Sequence, residues 1–121
     1  MSKVYLALVI SSRGHIWNGL QSILRTMPRI EIIAEANDPS ILMKIGSEIE
    51  PKLVLFEANL FEQKDWAGII KNKIESPQTI YIALVDDGQQ YQIAQKSGAD
   101  LVLMKGLPAK ELILKIEEIL E

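Results

Sequence analysis

With 121 residues, 48% of them hydrophobic and 24% charged, the chain has the make-up of one globular domain with a core to bury and carries no compositional sign of disorder. Its formal charge of -3 and scattered basic residues argue against a nucleic-acid surface, which needs clustered Lys and Arg. The absence of cysteine excludes a disulfide framework or thiolate metal site, and a single histidine argues against a zinc centre.

Taken in chain order, apolar runs of strand length alternate with segments of helical period. Residues 4–10 read as a first strand, too short for a membrane span and without a signal peptide's cleavage pattern, so a cytoplasmic location is expected. Residues 14–27 place Ile16, Leu20, Ile23, Leu24 and Met27 at helical spacing, and Pro28 closes that helix. Residues 29–36 read as the second strand. A second helix is expected to open at a capping Asn37 or Asp38, run through Ile41, Leu42, Ile45 and Ile49, and stop before Pro51. The run LVLFEANL, residues 53–60, is a third strand that stops at a lone carboxylate, Glu57. Residues 66–74 predict a third helix, 79–85 a fourth strand, and 88–98 a fourth helix closed by Gly98. Residues 100–105 predict a fifth strand and 108–120 a final helix with Pro108 near its first position.

Five strands and five helices in strict alternation imply right-handed crossovers and a doubly wound α/β domain spanning 1–121. The common order for such a five-stranded parallel sheet is 2-1-3-4-5, with the ligand crevice beyond the strands' carboxyl ends. This order gathers Ser11, Ser12, Glu57, Ala83 and Lys105 at one edge.

The spacing from VISSRGHIWNGLQSIL through IEIIAEAND, PKLVLFEANL and QKSGADLVLMK to PAKEL resembles the receiver domain of two-component response regulators, in the subfamily that usually carries a C-terminal helix-turn-helix. The likeness covers essentially the whole chain and implies a flavodoxin-like fold with a role in two-component signal transduction or a phosphorelay. Gly19-Leu20, Pro51, Asn59, Gly98-Ala99-Asp100 and Lys105 carry its framework.

The same resemblance marks where the chemistry departs. A working receiver has two acids after the first strand, a phosphoryl-accepting Asp after the third, a Thr or Ser after the fourth and a Lys after the fifth. Those positions map here to Ser11, Ser12, Glu57, Ala83 and Lys105, so only the lysine is unchanged. Two neutral hydroxyls in place of carboxylates remove most of the attraction for magnesium, a hard cation that prefers anionic oxygens. Magnesium binding is therefore expected to be weak or absent, with no other cofactor or resident metal. Glu57, at the phospho-acceptor position, is one methylene longer than Asp, and a misplacement of about 1 Å can cost two orders of magnitude in rate. Ala83 has no hydroxyl with which to hold a phosphoryl oxygen. Val102 stands at the aromatic switch position and has no large rotamer flip to make. Gly106 follows Lys105 where the family has a cis proline, so a trans bond is expected.

These residues predict a pseudo-receiver that is not an enzyme and acts by protein contact. Its partners would be a sensor kinase or an output domain, with a homodimer as a further option and neither nucleic acid nor membrane as a target. A phosphorylatable receiver with unusual chemistry is the alternative. A small hydrolase or nucleotide-binding domain on this fold is the lesser one, since SSRG has the wrong glycine spacing to cradle phosphates. Glu57 is either a strand-end residue paired with Lys105 or an imitation of a phospho-aspartate. Asp86, Asp87 and Gly88 read as a turn and helix cap rather than a cation site. Arg13 and His15 could meet an anion or lie solvated at a helix end. Trp17 and the last helix, through Leu112, Ile113, Leu114, Ile116, Ile119 and Leu120, offer more apolar positions than one core stripe requires, so either a partner face or a wide core stripe is expected.

Overall fold

The computed structural model describes residues 3–12 and 14–121, without the side chains of residues 15 and 16. Its strands are β1 (Tyr5–Ile10), β2 (Ile30–Ala36), β3 (Leu53–Glu57), β4 (Ile80–Val85) and β5 (Leu101–Met104), joined by α1 (His15–Arg25), α2 (Gln63–Glu75), α3 (Gly88–Lys96) and α4 (Ala109–Leu120). All pairings are parallel and the order is β2-β1-β3-β4-β5, as the alternation predicts. The fully buried LVLFE of β3 lies between β1 and β4, which is why it carries no polar residue before Glu57.

Apolar residues on alternate positions of the strands divide the core into two layers. On one face Ala7, Val9, Leu53, Leu55, Ile82 and Leu84 meet Leu20 and Leu24 of α1 and Leu112, Ile116 and Leu120 of α4. On the other, Leu8, Ile10, Val54, Phe56, Tyr81 and Ala83 meet Trp66 and Ile69 of α2 and Ala94 of α3. The α4 stripe is thus mostly absorbed by the core, with Ile113 and Ile119 half-buried against it and only Leu114 broadly exposed. Trp17 is buried as well. The wide core stripe accounts for Leu112, Ile113, Ile116, Ile119 and Leu120, and leaves Leu114 on the surface.

The second helical connection departs in type from its periodicity. It is a 3-10 helix, Pro39–Lys44, opened by Asp38, whose carboxylate accepts from the Ser40 N–H at 2.8 Å. Its backbone turns extended at Ile45, and Gly46 follows at φ 91°, a left-handed conformation that glycine adopts without strain. Ile45 then bridges Ile49 rather than continuing a helix. The third strand stops at Glu57, and Ala58–Leu60 forms a 3-10 turn. Helix α2 begins three residues before its apolar stripe because Glu62 and Asp65 form a reciprocal capping box. Gly98, at φ 96°, follows the α3 C-cap in the role expected of it. Pro108 sits at the N-cap of α4 with φ -57°.

Candidate functional site

At the carboxyl edge of the sheet, Ser11 follows β1, Glu57 ends β3, Asp86 follows β4 and Lys105 follows β5. Parallel pairing brings these four chain positions together although up to 94 residues separate them in sequence. Glu57 is only 2% exposed, so an unpaired charge there would be costly.

Several donors among the described residues converge on that carboxylate. The Ser11 hydroxyl donates a very short hydrogen bond to Glu57 Oε2. The Ser12 N–H donates to the same oxygen at 2.7 Å, and the Ser12 hydroxyl at 3.2 Å. Glu57 Oε1 faces Lys105 Nζ at 3.0 Å. Burial pushes the Glu57 carboxyl up, but hydrogen bonds from Ser11, Lys105 and the Ser12 N–H, together with the Lys105 charge, outweigh it and hold the carboxyl below the ordinary glutamate range.

Lys105 is in turn shared. Its ammonium donates to Asn59 Oδ1 at 2.5 Å and meets Asp86 Oδ1 at 3.2 Å and Oδ2 at 3.3 Å. Its side chain is 15% exposed, against 47% for Asp86, so Asp86 closes the solvent side of an otherwise sheltered cluster. Two carboxylates and one ammonium leave a single formal negative charge.

Of the residues the sequence gathers at this edge, the structure brings Ser11, Ser12, Glu57 and Lys105 into contact and leaves Ala83 outside the cluster. Ala83 pairs with Phe56 and Val102 and is buried in the second core layer, one rung behind Glu57. The residue at the strand's end is Val85, whose carbonyl accepts from the Lys105 N–H at 2.9 Å. Val102 lies half-buried against the same layer as Ala83, within the sheet rather than in the cluster. Asp86, read from the sequence as a turn residue, and Asn59, read as framework, are the further contributors, both through Lys105. The signal for Asp86 is its place immediately after an apolar strand of a doubly wound sheet, where ligand-facing groups belong. Asp87 caps α3, accepting from the Gln90 N–H at 2.8 Å, as the turn-and-cap reading expects. Arg13 lies outside the described residues, as does the side chain of His15.

No protein-family model matches the sequence, and neither does any curated protein. Solved structures do match. The signal receiver domain of the response regulator NarL from Mycobacterium tuberculosis superposes with a TM-score of 0.82 at 13% identity, covering 97% of this chain and 96% of that one. A CheY-like receiver domain from Methanospirillum hungatei gives 0.78 at 22% identity, over 98% and 94%. The isolated receiver domain of RcsB from Salmonella enterica serovar Typhimurium, in the presence of phosphomimetic BeF3-, gives 0.79 at 11% identity, over 95% and 87%.

This is the response-regulator receiver fold.

Against a longer RcsB chain the receiver-like match covers 97% of this sequence and 59% of that one. The receiver fold implies magnesium, and the donor set here suits it poorly. One oxygen of Glu57 is occupied by three donors and the other by an ammonium, while both oxygens of Asp86 face that same ammonium. Ser11 and Ser12 supply neutral hydroxyls that donate rather than anionic oxygens that accept. Among the described residues, no group of three or more His, Asp or Glu could hold a metal. Among them, too, no helix is long and apolar enough to cross a membrane.

The turn after Lys105 depends on Gly106, which has φ 90° with no peptide bond cis among the described residues. An added Cβ would meet nothing within 4 Å, so the cost of Gly106→Ala is conformational. A loss of about 1 kcal/mol in unfolding free energy is expected by urea denaturation. A neutral result would show that the loop re-forms with a right-handed residue at that position.

Proposed function

We propose that this chain is a receiver-type signalling domain that works by protein contact, with phosphoryl transfer impaired or absent. The observation that carries the reading is the state of Glu57, whose two oxygens are both committed to internal donors and whose charge is balanced by Lys105. Phosphoryl transfer to a carboxylate needs a free oxygen lined up with the donor and a cation to neutralise developing charge. Support for impairment comes from the longer side chain of Glu57, the absence of a hydroxyl side chain at Val85, and serines at the first-strand positions. On this reading the domain needs no magnesium and catalyses no reaction. Its partners are proteins, either a sensor kinase or an output domain, with a second copy of the chain as a further option and no direct role for nucleic acid.

Intact-mass spectrometry after incubation with acetyl phosphate, with and without magnesium and beside a competent receiver, tests this directly. An unchanged mass in both conditions is expected. A magnesium-dependent gain of one phosphoryl group would overturn the proposal. The second reading, a phosphorylatable receiver with unusual chemistry, is favoured by one observation: Asp86 brings a second, half-exposed carboxylate into the cluster. Under that reading the modified residue maps to Asp86 or Glu57.

A further inference from the structure

The cluster does more than bury a charge, because its outermost member belongs to the start of a helix. Asp86 holds Lys105 through both carboxylate oxygens, at 3.2 and 3.3 Å. The Asp86 N–H donates to Gln90 Oε1 at 2.8 Å, and the Gln90 N–H donates to the Asp87 carboxylate at 2.8 Å. The Tyr91 N–H then bonds the Asp87 carbonyl at 3.1 Å. A continuous run of polar contacts therefore leads from Ser12 and Glu57, through Lys105 and Asp86, into the first turn of α3.

The strand-end hydroxyl by which a receiver would sense its pocket is replaced here by Val85, which offers only its backbone carbonyl. A carboxylate one residue further along, gripping the shared lysine, supplies a different connection. We propose that Asp86 is a positioning residue that couples the charge at Glu57 to the first turn of α3 through Lys105. Helix α3 and strand β5 carry the exposed side chains of Tyr91, Ile93 and Met104, so the arrangement of this turn bears on the surface a partner would meet. The use of that surface in signalling rests on the receiver reading above; the coupling itself does not, and its test involves no phosphoryl donor.

Coupling through a shared group is reciprocal, which gives the test two directions. Amide hydrogen exchange of Ser12, Gln90 and Tyr91 is to be followed in the full chain, in Asp86→Asn, in Glu57→Gln and in the double variant. The β3 amides serve as the reference for global unfolding. Asp86→Asn changes a half-exposed side chain and is expected to speed exchange at Gln90 and Tyr91 by about two- to fivefold relative to that reference, the size of a partly exposed ion pair. The same substitution is expected to speed the Ser12 amide, which Asp86 does not touch. Glu57→Gln is expected to loosen Gln90 and Tyr91 as well, and the double variant to loosen them no further than either single change. The proposal is overturned if Asp86→Asn leaves Ser12 unchanged. It also fails if the two substitutions act additively on α3. The Ser12 arm uses Asp86→Asn by itself, so that outcome does not depend on the stability of the Glu57 variant.

Discussion

Glu57→Gln is expected to lower the unfolding free energy by about 2 to 3 kcal/mol at neutral pH, measured by urea denaturation. Glutamine keeps the length of the side chain and can still accept from the Ser12 N–H, so little shape is lost. What disappears is the charge that balances Lys105 in a place where the glutamate is 2% and the lysine 15% exposed. Removing one partner of a buried pair leaves the other uncompensated, at a cost of about 3 to 5 kcal/mol. The cost here falls at or just below the bottom of that range because Asn59 and Asp86 still hold the ammonium. Adding Lys105→Met in the glutamine background is not expected to recover the loss, since Asp86 already balances the ammonium and would itself lose its partner. A deficit below about 1 kcal/mol would show that water reaches the pair and screens it.

The pH dependence has a definite sign. Burial raises the Glu57 carboxyl, and the bonds from Ser11, Lys105 and Ser12 lower it by more, so its folded value lies below its unfolded one. Such a group adds stability that is fully present above the unfolded value, about 4.3, and is lost as pH falls through the folded value. The gap between wild type and Glu57→Gln should therefore be widest near neutrality and close progressively in acid. A gap that stays constant down to about pH 3 would place its origin in packing rather than charge.

The sheet was legible in the sequence because parallel central strands are buried on both faces and so read as unbroken apolar runs; LVLFE and IYIALV admit little else. The alternation then dictated the order. Helix type was harder to read. Ile41, Leu42, Ile45 and Ile49 have a helical period, yet Leu42 and Ile45 reach the core from a 3-10 turn and an extended residue, and only Gly46 hints at the break. Periodicity records which residues are inward-facing, and different backbones can satisfy the same list.

The candidate site was legible to the extent that it sits at strand ends. Ser11, Ser12, Glu57 and Lys105 follow from strand length and order alone. Ala83 was misplaced by two residues on its strand, which in a parallel sheet separates the interior from the edge. Asp86 was missed as a partner of Lys105 because its neighbour Asp87 has an obvious capping role, and two adjacent acids invited one explanation. Partner choice among charged side chains depends on loop conformation, to which periodicity is blind.

Ser11→Asp, Ser12→Asp and Glu57→Asp introduced together are expected to create a magnesium site in the receiver fold. The triple change adds two negative charges to a cluster that already carries one, and shortens the acceptor so that its oxygens withdraw from Lys105. Without a cation the variant should be markedly less stable than wild type, because Ser11 is fully buried and an aspartate there faces other carboxylates. Magnesium should restore stability, by about 1.4 kcal/mol at ten times the dissociation constant, whereas wild type should not respond. Thermal unfolding at matched ionic strength separates binding from screening. A folded variant indifferent to magnesium would mean that the turns after β1 and β3 no longer present their oxygens in octahedral array. Restored binding would mean instead that the turns still hold the geometry for an ion and lack only its anionic oxygens.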